Sequence, residues 1–207
     1  MAFGTYKTLG AALQALQIME TQKAFIEPKP VTVSDYFRSE LELTLREHDV
    51  SCSEAAICES LLFPLMREAL KPYSAVLGIW SHVGLYRGEE LLGVPDYIIA
   101  KRSPLSLRVM ETPHALIMEA KKNDFDAGWG QCLGAMHAVQ TLNGEPRRPI
   151  YGIVSDGFDW RFGELREQTF AHHPEFFQLF RLDELLAALN HLFDLCRQQV
   201  LSPASAA

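Results

Sequence analysis

Asp96, Glu119 and Lys121 could form a cation-binding and proton-handling set at the end of an apolar sheet. Asp96 lies inside the run LLGVPDYIIA at 91–100, and Glu119 and Lys121 close the run ALIMEAK that begins at 115. Both runs read as strands, and the Pro-, Ser- and charge-rich KRSPLSLRVMETP between them reads as a hairpin connection or a short excursion. Successive strand residues point to opposite faces, so Glu119 and Lys121 share one face and Ala120 takes the other. If the strands are neighbours, Asp96 can lie beside Glu119. Burying such charges is costly unless they pair or hold a metal. The competing reading has Asp96 starting a turn while Glu119 and Lys121 form an ion pair at the strand end.

Those residues need a scaffold. The chain has 207 residues, 48% hydrophobic, with mean hydropathy near zero, which predicts one soluble globular domain. No apolar run approaches the ~20 residues that span a bilayer, and the N-terminus has no secretory pattern. Cys52, Cys58, Cys132 and Cys196 are scattered without a CxxC pair, which reads as reduced thiols in a cytoplasmic protein, most simply buried small hydrophobes. The histidines lack metal-like spacing, and His172 and His173 fall in a polar stretch that reads as a loop. The net charge of −7 argues against tight non-specific DNA binding but leaves room for a local basic face. Arg102, Arg108, Lys121, Lys122, Arg147 and Arg148 are the residues that could build it.

Apolar spacing predicts a helix over 6–20. Ser34 reads as the N-cap of a second helix ending near Glu47. Together residues 1–50 form an N-terminal helical layer, with dimerisation as a further use. Ser51 and Glu54 have capping-box spacing before a third helix, which Pro64 must kink or restart. Glu54 shares the stripe of Ile57, Cys58, Leu61 and Leu65, whereas Glu59 falls roughly 140° away. Residues 75–86 read as a bent strand pair. A helix over 126–142 follows the central strands, capped by Asp124 or Asp126, and Gly128, Gly130 and Gly134 allow it a close approach to the sheet or a phosphate. Trp129 on that helix could stack on a base or pack in the core. A strand over 149–155, a turn at Asp156–Gly157 and a return strand over 158–162 come next. A last helix starts at Leu182 or Asp183, and 201–207 reads as a frayed tail.

The pairing of Pro95 and Asp96 with Glu119, Ala120 and Lys121, on apolar strands and in that order, resembles the PD-(D/E)XK nuclease superfamily. Gln131 on the following helix and YGIVSDGFDWRFGEL extend the likeness toward the nuclease domains of type I restriction subunits and their stand-alone relatives. It covers roughly 51–165, with 166–200 as an added C-terminal segment. It implies an α/β fold of restriction-endonuclease type: a central mixed β-sheet flanked by helices, with extra N-terminal helices. It also implies a metal-dependent nuclease acting on DNA, with RNA open as substrate. Asp96, Glu119 and the Ala120 carbonyl would hold Mg2+, with Mn2+ able to substitute, and Glu54 would be a further acid from the first core helix. Lys121 would orient or deprotonate the attacking water. Gln131 would contact the site or remain a surface glutamine. Lys122, Trp129 and Arg102 are the possible substrate contacts. A homodimer or a protein partner would supply targeting. The alternative is an inactive module that keeps the fold and binds a protein or nucleic acid.

Overall fold

The computed structural model describes residues 5–202. Its frame is a mixed eight-stranded sheet in the order β1-β9-β8-β7-β6-β5-β2, with β10 paired to β8. The strands are β1 (Met19–Gln22), β2 (Leu77–Ser81), β3 (Leu85–Arg87), β4 (Glu90–Gly93), β5 (Tyr97–Arg102), β6 (Met110–Ala120), β7 (Ile150–Ser155), β8 (Asp159–Arg166), β9 (Thr169–His172) and β10 (Phe177–Gln178). β3 and β4 form a separate two-stranded ribbon. The helices are α1 (Leu9–Leu16), α2 (Asp35–Glu47), α3 (Glu54–Ile57), α4 (Phe63–Leu70), α5 (Phe125–Asn143) and α6 (Leu182–Leu201). The fold is therefore α/β, with the sheet between two layers of helix.

The alternation along the strands sorts the core. Tyr97, Ile99, Leu116 and Met118 join Leu61, Leu65, Leu189 and Phe193 on the α4/α6 face. Ile98, Ala100, Ile117 and Val154 join Cys132, Met136 and Ala12 on the α5/α1 face. β6 and β7 are parallel, with α5 as their crossover, while β5 runs antiparallel to β6. A crossover helix must begin at the C-terminal ends of its strands, so the N-terminus of α5 stands at the sheet end that carries Glu119 and Lys121.

Several predicted elements are present. Ser34 Oγ accepts from Phe37 N at the start of α2, and Asp124 caps α5 through Ala127 N. α6 starts at Leu182 and continues to Leu201, into the segment expected to fray; residues 203–207 of that tail lie outside the described residues. Other expectations are corrected. The helix over 6–20 stops at Leu16, where Gln17 adopts a left-handed conformation (φ 56°), and Met19 and Glu20 enter β1 beside β9. The run at 91–100 is two strands: β4 belongs to the ribbon, β5 to the main sheet, and Asp96 lies in the link before β5. Ser53, not Ser51, caps α3, because Ser51 bonds instead to Asp49 Oδ1. His172 ends a strand, β9, where a loop was expected.

Pro64 acts upstream of its own position. Its ring crowds the carbonyl four residues earlier and it offers no N–H. The chain widens into a π-helical segment, Cys58–Leu62, between α3 and α4, in which Phe63 N donates to the Cys58 carbonyl.

Gly128 brings α5 down onto the sheet. A Cβ there would lie 2.5 Å from Val154 Cγ1 and 2.8 Å from Lys121 Cγ, whereas one at Gly10 in α1 would meet nothing within 4 Å. Gly128→Ala should therefore cost about 1–3 kcal/mol by overpacking, while Gly10→Ala should gain up to about 1 kcal/mol from helix propensity. Urea unfolding of the two variants checks the contrast, and equal effects would contradict the close approach.

Candidate active site

The β5–β6 register pairs Tyr97 with Met118, so Asp96, one step before β5, stands opposite Glu119. The ladder closes through a side chain: Ala120 N donates to Asp96 Oδ2 at 2.7 Å. The N–H and C=O of one strand residue point to the same side, which sets the Ala120 carbonyl toward Asp96 as well. Lys121 continues the pairing on the other side, its N–H donating to the Ser155 carbonyl at 2.9 Å.

Side chains follow the predicted alternation. Ala120 packs in the α4/α6 core. Glu119 is 5% exposed, and its Oε1 is buried without a hydrogen-bond partner. The stem of Lys121 passes under Gly128. Its Nζ reaches both carboxylate oxygens of Glu54, at 3.3 and 3.2 Å. The lysine thus spans the open end of the sheet, from the α5 layer to the start of α3. Glu59 is exposed on the π segment, so Glu54 is the glutamate that this helix brings to Lys121.

The electrostatics follow from burial. Desolvation raises the Asp96 carboxyl above its ordinary value, against the opposing pull of the Ala120 N–H, Lys121 and His82. Desolvation, then repulsion from Asp96, raises Glu119 well above its ordinary value. Among the described residues, Lys121 is the ammonium that acts on both Asp96 and Glu119, and it also pairs with Glu54. A divalent cation would supply the missing positive charge, and carboxylate and carbonyl oxygens are the donors that magnesium and manganese accept. The residues therefore fit such an ion, with Asp96, Glu119, the Ala120 carbonyl and Glu54 as the groups to hold it.

The other expected residues divide. Gln131 is half-buried one turn after Gly128, and its amide bonds to none of Asp96, Glu119 or Lys121. Lys122 is exposed at the rim, its Nζ 3.4 Å from the Cys52 carbonyl. Trp129 is withdrawn as a substrate contact: it is 3% exposed, with its ring against Phe170 and His172. Arg102 lies away from the carboxylates. It ends β5 at the opposite end of the sheet, paired with Met110 and donating to the Ser74 carbonyl at 2.6 Å. Arg147 and Arg148 precede β7 at that same far end, so of the basic residues considered Lys121 and Lys122 stand by the carboxylates and these three arginines do not.

Two residues to which sequence spacing gives no metal chemistry stand beside Asp96. His82 Nε2 lies 3.4 Å from Asp96 Oδ1, and buried Cys58 stands at the start of the π segment with its thiol raised to about 12 by desolvation and Asp96. Residues 58, 82 and 96 sit on separate elements, so no local spacing announces them.

The raised carboxyls give a measurable signature. Their folded values exceed the ordinary 3.8 and 4.5. The native state therefore retains protons that the unfolded chain releases, and this contribution to stability is lost as pH rises through the folded values. Buried histidines such as His114, lowered by desolvation, act in the opposite sense. A variant comparison separates the two. Without cation, Asp96→Asn/Glu119→Gln should unfold at a higher temperature than wild type, by a margin that widens as pH rises. Each retained proton contributes up to about 1.4 kcal/mol per pH unit. Magnesium or manganese should narrow that margin by binding wild type, and parallel pH profiles for the two proteins would contradict the assignment.

No family model matches the chain, and no curated protein matches it in sequence.

Proposed function

We propose that this protein is a metal-dependent nuclease of the PD-(D/E)XK type, hydrolysing phosphodiester bonds in DNA with magnesium or manganese. The observation that carries the reading is Glu119, set opposite Asp96 with its Oε1 buried and without a hydrogen-bond partner, and with the Lys121 ammonium acting on both acids. The restriction-endonuclease-like fold belongs to this proposal and rests on the motif together with the antiparallel β5–β6 pair, the parallel β6–β7 pair and the α5 crossover.

Hydrolysis needs an oriented water, neutralised phosphoryl oxygens and a stabilised leaving oxygen, and a bound divalent cation contributes to all three. The chain's own groups do the rest. Asp96 is held by the Ala120 N–H, which fixes one oxygen, while the other lies 3.4 Å from His82 Nε2. Glu119 is fixed by burial at the end of β6. Lys121 places its ammonium at the mouth of the site, held between Gly128 and Glu54, where it can hydrogen-bond a water or a phosphoryl oxygen. Glu54 restrains Lys121 in the cation-free state and is available as a further oxygen donor. Lys122 stands at the rim for a neighbouring phosphate.

The test is cleavage of supercoiled plasmid, linear duplex, single-stranded DNA and RNA in magnesium or manganese. Asp96→Ala and Lys121→Ala should each lower the rate about 100-fold or more while keeping a cooperative thermal transition above the assay temperature. Glu54→Ala should slow cleavage more than Glu59→Ala. Wild-type rates in Asp96→Ala or Lys121→Ala would overturn the site. Absence of both cleavage and cation binding in wild type would favour the inactive module.

A further inference from the structure

We propose that Cys58, His82 and Asp96 form a second cation position, selective for zinc, that competes with the hard cation for Asp96. One ligand atom from each residue lies within 4.8 Å of the others. The three come from separate elements: Cys58 from the π segment, His82 from the turn after β2, and Asp96 from the link into β5.

The histidine is held in a defined pose. His82 has φ 53°, an uncommon conformation for a residue with a side chain, and its N–H donates to the Asp96 carbonyl at 2.9 Å. Its Nδ1 is 2.8 Å from Ser81 Oγ, which turns Nε2 toward Asp96 Oδ1 at 3.4 Å. Imidazoles that bind metals through one nitrogen are commonly oriented by a hydrogen bond at the other. Cys58 is pinned as well, because the Tyr97 hydroxyl donates to its carbonyl at 3.1 Å and the Tyr97 ring meets His82 edge-on.

Thiolate, imidazole and carboxylate together suit zinc and are a poor set for magnesium, which does not favour sulfur. Zinc bonds of about 2.0–2.3 Å would require the three ligand atoms to draw in by roughly 1 Å. The His82 side chain is 54% exposed, so its movement displaces solvent more than core packing. On binding, the Cys58 thiol releases its proton to solvent and its sulfur lone pair forms the bond to the ion, with no change of oxidation state. Three protein ligands with an open fourth position suffice for zinc. Zinc held here would engage Asp96, so it would inhibit magnesium-dependent cleavage. That consequence alone rests on the proposed function.

Cobalt(II) titration of the full chain tests the site without any activity, in a Cys52→Ser background that removes the exposed thiol. A thiolate-to-cobalt absorption band should saturate at one equivalent and vanish when zinc is added. It should be absent in Cys58→Ser, and the affinity should fall at least about 10-fold in His82→Ala. No sulfur band, or an unchanged band in either variant, would overturn the site. If wild type cleaves DNA, zinc should inhibit it in magnesium, and the zinc concentration that halves the rate should rise at least about 10-fold in His82→Ala, each protein being compared with its own zinc-free rate. Equal inhibition of both would overturn the competition. If wild type does not cleave, the cobalt titration still decides the site.

Discussion

A single hydrogen bond joins the two halves of the motif: Ala120 N–H to Asp96 Oδ2, 2.7 Å. It acts as the last rung of the β5–β6 ladder, with a carboxylate in the place of a backbone carbonyl. β5 therefore pairs one residue beyond its formal start, and Asp96 is held opposite Glu119 where desolvation raises both acids. Other elements respond to that negative charge. Gly128 lets α5 settle over the stem of Lys121, and α3 brings Glu54 to its ammonium. Under the proposed function, a bound divalent cation would offset the charge that these acids carry.

Much of this was legible in local pattern. Ser34 and Asp124 announce α2 and α5, helical spacing announces α6, and strict alternation places Glu119 and Lys121 on one face with Ala120 on the other. The errors share a cause: a local pattern compatible with two structures, resolved by a distant partner. The apolar run at 91–100 serves both cores, so its break into β4 and β5 does not interrupt the hydrophobic signal. Gln17 ends α1 in a left-handed conformation without the glycine that normally marks such a stop. β9 is short and ends in a histidine, and its strand identity comes from pairing with β8 and β1. Cys58 and His82 were invisible for the same reason, since only the fold sets them beside Asp96.

The distribution of charge is as informative as its sum. The chain carries −7 overall, with Lys121 and Lys122 at the carboxylate end of the sheet and Arg102, Arg147 and Arg148 at the other. Lys121 is committed to Glu54 and Lys122 lies near a backbone carbonyl. Arg161, across β7 from Glu119, lies over the Phe125 ring. Under the proposed function, a bound cation would add to these few basic groups in holding a polyanion. Among the described residues no helix is long and apolar enough to cross a membrane.

The π segment before Pro64 has a consequence for how this chain tolerates length changes. A π turn is equivalent to one residue inserted into an α-helix. The widened turn absorbs that extra residue, so α3 keeps the phase that sets Glu54 beside Lys121 while α4 keeps its core contacts. Deleting a residue within Cys58–Leu62 would let α3 and α4 run on with little change of phase on either side, but with the Pro64 ring pressed against the carbonyl four residues earlier. The same deletion inside α3 has no widened turn to absorb it, and it would rotate Glu54 by about 100° about the helix axis, away from Lys121. The π segment thus buffers the phase between the acid that α3 carries and the packing that anchors α4.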